Sequence, residues 1–213
     1  MKRLNLIWMA PILLLIFFSC SHEQLDSYEV ATNESLRKAE PRAVTVSFKA
    51  TFYTLRDYSF ALDCSAYGSE NPDEDFGAPG NYQVGGGNGT HLGEFMTTIS
   101  FCGGPNFQYR AGEGVFVAAN GDELYFNIPP TDVIGQIYQV FDDPLYELWF
   151  GDDFEFTGGT GRFAGATGSG TTDSWVNLID GGWSNFPDGF IAEHQTDHVF
   201  TGTLTFYPGA NSN

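Results

Sequence analysis

The stretch AVTVSFKATFYTL, within residues 42–55, alternates apolar and polar side chains with a period of two. Val44, Val46, Phe48, Ala50 and Phe52 fall on one face, and Thr45, Ser47 and Lys49 on the other. A helix would scatter these apolar groups around its circumference, whereas a half-buried strand gathers them on one side. After residue 40 no long stretch shows helical apolar periodicity. Twenty-six glycines and twenty phenylalanines reinforce the reading: aromatics suit pleated surfaces and glycine supplies tight turns. Further strands are expected near 90–102, 114–119, 122–128, 148–157, 162–176 and 197–207, with Asn120-Gly121 forming a two-residue hairpin turn. Residues 63–90, rich in Gly, Pro, Asn and acid, read as a long insertion, and no internal repeat or second domain is evident. Seven or eight antiparallel strands joined by short turns make a sandwich or a closed barrel.

One segment invites a different reading. GGTGRFAGATGSG, residues 158–170, contains Gly159-x-Gly161-x-x-Ala164, which fits a dinucleotide-binding fingerprint. That motif needs a helix to follow, because the helix N-terminus holds the pyrophosphate. Here glycine and β-branched residues follow, no strand–helix–strand pattern exists, and a P-loop would need a lysine that is absent. The glycines instead suit a tight turn over 158–161 and a sharply curved strand, as barrels require at their corners.

Three motifs occur in order: Thr90-His91-Leu92-Gly93, Ala118-Ala119-Asn120-Gly121-Asp122, and residues 158–170. Together they resemble a group of exported bacterial proteins of unassigned function, and the last resembles the late hairpin of the allene oxide cyclase and dirigent barrels. The resemblance spans about residues 42–207. It implies an all-β fold, a single antiparallel barrel of about eight strands with an interior pocket. It also implies that homo-oligomers form, since barrels of this type often trimerise. It transfers no catalytic residue, because none of the plant families' catalytic residues matches a position here.

The N-terminal region belongs to export. Lys2 and Arg3 precede an apolar run from Leu6 to Phe18, then Ser19 and Cys20, the layout of a signal peptide whose core is short for a membrane span. Cys20 directly after the run resembles a bacterial lipobox, the alternative being an ordinary secretory signal, so the chain is expected to divide into a lipoprotein signal over 1–19, a lipidated Cys20 with a flexible tether over 20–40, and a barrel domain over 41–213. A lipid-anchored protein on a bacterial membrane, on the periplasmic side or at the cell surface, is expected. Removing residues 1–19 takes away two basic side chains and no acidic one, moving the formal charge from −18 to −20. So acidic a chain repels phosphate backbones, which excludes nucleic-acid partners, and its membrane contact is left to the lipid. Outside the cytoplasm the remaining cysteines, Cys64 and Cys102, are candidates for a disulfide.

Candidate site residues are few. On a strand over 90–102, His91 would share a face with Phe95 and Ile99, placing a polar group at one end of an apolar cavity. Arg162 would suit a carboxylate-bearing ligand, or pair with Asp152, Asp153 or Glu155 across its hairpin. Trp183, Phe186 and Phe190 lie in an aromatic loop over 181–190 that would contact a glycan or protein, or plug the barrel. His194 and His198 have a zinc-like spacing but lack a third ligand, and the acidic clusters do not fit a calcium loop, so no metal and no cofactor is expected. The leading expectation is binding of a small, mainly apolar molecule in the barrel. The alternatives are a cyclase or isomerase, as in the plant relatives, and a surface interaction module.

Overall fold

The computed structural model describes residues 42–178 and 194–208. It contains no α-helix among these residues. Eight antiparallel strands close a barrel: β1 (Val44–Arg56), β2 (Asn81–Gly89), β3 (Gly93–Gly103), β4 (Gln108–Ala118), β5 (Glu123–Asn127), β9 (Asp153–Gly159), β10 (Thr167–Val176) and β11 (Gln195–Phe206). The first and last strands complete the ring, Val44 standing opposite Phe206 and Leu55 opposite Gln195. Three short pieces, β6 (Gly135–Gln136), β7 (Tyr138–Gln139) and β8 (Leu148–Phe150), lie in the long β5–β9 connection and extend the wall beside β4 and β10.

The alternation in β1 does what its pattern dictates. Phe48, Ala50, Phe52 and Thr54 point inward and are buried, while Thr45, Ser47 and Lys49 are exposed. Only Val44, at the rim, escapes the core. Phe52, Phe116, Phe126, Phe154 and Phe200 fill one part of the interior and are almost wholly inaccessible. Several of their rings meet edge to face, as with Phe52–Phe116 at 5.3 Å and Phe52–Phe200 at 5.0 Å between centroids, while Phe154 and Phe200 stack at 5.0 Å, both arrangements being favoured by the ring quadrupole. Burying five such rings contributes on the order of 10 kcal/mol of hydrophobic stabilisation before chain entropy is counted.

Several expected boundaries move. The strand expected over 90–102 starts only at Gly93, because Thr90–Leu92 make a turn in which His91 has φ 64°. The strand expected from 162 starts at Thr167, after a 3₁₀ turn at Gly161–Phe163 that buries Phe163. The expected 148–157 strand splits into β8 and β9 around residues 151–152. The largest correction concerns 63–90: its second half is a full barrel strand, β2, between β1 and β3. Its sequence NYQVGGGNG hides this, since glycine is a poor strand former. Here glycine is required by packing. A Cβ on Gly85 would overlap the carbonyl oxygen of Tyr53 in β1. The same holds in the glycine-rich segment 158–170, where a Cβ on Gly170 would overlap the Thr201 carbonyl of β11.

Cys64 and Cys102 are joined by a disulfide. It ties the excursion between β1 and β2 to the end of β3 and, with Phe76, Leu62 and Tyr67, forms a small apolar cluster outside the barrel. Arg110 of β4 lies over the rings of Tyr67 and Phe76, at 4.7 and 5.6 Å.

Candidate functional site

The phenylalanine core does not fill the barrel. At the end where β1 finishes and β11 begins, a cavity of about 300 Å³ opens between the strands. Its wall is apolar, with Ile99, Phe101, Tyr109, Ile128, Leu148 and Phe150 among its side chains. Among the described residues its polar groups are few and mostly amide or imidazole: Asn81, Gln83, Gln108, Thr196, His194 and His198, with Arg56 as the one permanent cation. No aspartate or glutamate among the described residues lines it.

His198 sits between the cavity and the core. Its ring stacks on Phe52 at 4.5 Å with the planes 17° apart. Nδ1 lies 2.9 Å from Ser174 Oγ and Nε2 3.0 Å from Thr54 Oγ1. Thr54 donates its one proton to Gln83 Oε1 at 2.6 Å, so it can only accept from the imidazole. The proton of His198 is therefore on Nε2, and Ser174 donates to Nδ1. Burial pushes the imidazole down to about 3, which keeps it neutral across the physiological range. The chain Ser174–His198–Thr54–Gln83 thus runs in one direction across four strands and ends at the cavity.

Two tyrosine–carboxylate pairs flank this network. Tyr109 donates to Asp152 Oδ2 at 2.6 Å, and Tyr146 donates to Asp197 Oδ2 at 2.6 Å, while Gln195 donates to Asp197 Oδ1 at 2.7 Å. Burial, and then the neighbouring carboxylate, push both phenols well above their usual range. Burial also raises Asp152, against the opposing pull of Tyr109. These protons are held, not poised for release.

Of the residues singled out by sequence, Ile99 lines the cavity, while Phe95 belongs to the phenylalanine core, 4.7 Å from Phe116. His91 is at the opposite end, exposed in the β2–β3 turn, its ring 5.7 Å from Phe206. The positive φ at His91 turns its side chain outward and lets Leu92 enter the core instead. Arg162 is also remote from the cavity: it stacks on Phe163 at 4.8 Å and pairs with Asp122 at 3.4 Å, not with Asp152, Asp153 or Glu155. His198, one of the pair with zinc-like spacing, has both nitrogens engaged by hydroxyls and so presents no free nitrogen to a metal. Trp183, Phe186 and Phe190 lie outside the described residues, as does Cys20. Sequence reading passed over Arg56, Gln83, Thr54 and Tyr109. A signal for two of them was available, because the inward parity of Phe48, Ala50 and Phe52 continues to Thr54 and Arg56.

No protein-family model, curated protein or solved structure matches the chain. The site is therefore read from its own geometry.

Proposed function

We propose that this barrel is an exported, lipid-anchored binding protein that holds a small, mainly apolar molecule in the cavity beside His198. The observation that carries the reading is a partly enclosed, aromatic-lined space of about 300 Å³ with a few convergent polar groups. Binding sites have this character, and a space packed for stability alone would be filled. An engineered apolar cavity of about half this volume takes up benzene. The motif resemblance to allene oxide cyclase and dirigent barrels, which places a pocket inside the same kind of ring, supports the reading. The cyclase or isomerase alternative needs an acid or base free to exchange a proton. His198 has both nitrogens hydrogen-bonded, and Tyr109 keeps its proton in a hydrogen bond to Asp152, so binding is the better supported reading.

Native mass spectrometry of the purified protein, followed by denaturing extraction, tests this. A bound small molecule in the wild type and its loss in Leu148→Trp, which fills the cavity, is the expected result. An apo mass for both, with no uptake of small aromatic compounds added at millimolar concentration, overturns it.

A further inference from the structure

We infer that the cavity selects a compact carboxylate: an anion head held by Arg56 and Gln83 on an apolar body of about a dozen non-hydrogen atoms in all. The inference rests on the cavity-binding reading and names its ligand class. Its starting point is a charge anomaly. The chain carries 27 acidic and 9 basic side chains, yet among the described residues the cavity wall contains no acid and one permanent cation, Arg56. Among the described residues no carboxylate comes within ion-pair distance of Arg56. Its guanidinium rests instead over the ring of Tyr58, 4.8 Å from the centroid, and Tyr58 is 65% exposed. Arg56 therefore stands at the mouth, stacked on one face, and the described residues supply no acceptor for its edge donors. A half-buried guanidinium without a counter-charge favours an anion that can accept two parallel hydrogen bonds.

Gln83 supplies the second contact. It stands directly opposite Arg56 in the β1–β2 register, so both side chains rise from the same patch of inner wall. Thr54 holds the carboxamide oxygen of Gln83, and His198 in turn holds Thr54. With its oxygen taken, Gln83 offers the cavity N–H donors, for which the described residues provide no acceptor. The relay from Ser174 through His198 thus fixes the orientation of a donor beside a cation. Both groups call for acceptor oxygens on the ligand. The volume sets the size of the body: about twice the space that holds benzene accommodates one aromatic ring and a short chain. The wall of Phe101, Phe150, Tyr109 and Leu148 receives that body.

The test compares 4-phenylbutanoate with 4-phenylbutanamide, which match in shape and differ in charge, by isothermal titration calorimetry on wild type, Arg56→Met and Gln83→Glu. The acid should bind wild type at least about tenfold tighter than the amide. Arg56→Met should abolish that preference while leaving amide affinity within about threefold. Gln83→Glu, which keeps the acceptor for Thr54 but replaces the donor with a negative charge, should reject the acid. Retained amide binding and an unchanged thermal midpoint show that each variant is folded. Equal affinity for acid and amide in wild type, or an acid preference that survives Arg56→Met, overturns the carboxylate assignment and leaves the cavity reading standing. Failure of both compounds to bind wild type overturns the two together.

Discussion

His198 shows how one buried side chain couples packing to protonation. The imidazole takes up a proton only near pH 3 in the folded chain, against about 6.5 when unfolded. Between these values the unfolded state binds more protons, so stability falls as the pH falls, by about 1.4 kcal/mol per unit from this group. Asp152 acts in the opposite sense: burial raises its carboxyl, so acidification favours the folded state through that group. The histidine's share falls between about pH 6.5 and pH 3, and His198→Phe separates it from that of the carboxyl. Urea unfolding of wild type should therefore show a lower midpoint at about pH 5 than at about pH 7. His198→Phe should be flatter over that range. It should also be less stable at neutral pH, by roughly 1–4 kcal/mol, since the buried Ser174 hydroxyl loses its acceptor and Thr54, still donating to Gln83, loses its donor. A wild-type midpoint independent of pH would mean that the imidazole is not held neutral by burial.

Among the elements, the strands that are legible from sequence are those whose alternation is carried by large side chains. β1 and β11 declare themselves, and β4 and β5 announce their hairpin through Asn120-Gly121. β2 is illegible because its role demands the absence of side chains: propensity argues against a strand in NYQVGGGNG, and close approach of the Tyr53 carbonyl requires the glycines. His91 misleads for a related reason. A single left-handed residue before Gly93 reverses which of two neighbours enters the core, and parity counted through a turn carries no information. The cavity itself could not be read from β1 alone, since its wall draws on strands far apart in sequence. The excursion between β1 and β2 is held by the Cys64–Cys102 bridge and by Arg110 over Tyr67 and Phe76. Closing a loop of 38 positions contributes about 3–4 kcal/mol if the unfolded-chain account holds. The Cys64→Ala, Cys102→Ala double variant should melt at least several degrees lower than wild type. It should keep the barrel's far-ultraviolet circular dichroism, because the bridged cluster lies outside the phenylalanine core. Collapse of the whole spectrum at ambient temperature would show that the bridge supports the barrel itself.

At the scale of the whole molecule, alternation left a sandwich or a barrel open and the motif resemblance pointed to the closed ring of eight strands, while neither showed the division of its interior. Phenylalanines crowd one part and a cavity occupies the other, and the change falls at the polar Thr54–His198 layer between them. The ring also has a kinetic reading. Its successive hairpins join strands close in sequence, but the β1–β11 pair brings together the two extremes of the barrel's chain, Val44 against Phe206. Contacts of such long separation are the slowest to form. Pulse-labelling hydrogen exchange should find the β1–β11 amides among the last to gain protection during refolding. Because Val44 and Phe206 are neighbours, a short Gly/Ser link can join those strands and the chain can be reopened at Asn120-Gly121. In that permutant the delay should migrate to the β4–β5 pair while the barrel stays the same. The seam would then belong to the order in which the polypeptide is strung, and not to the shape it encloses.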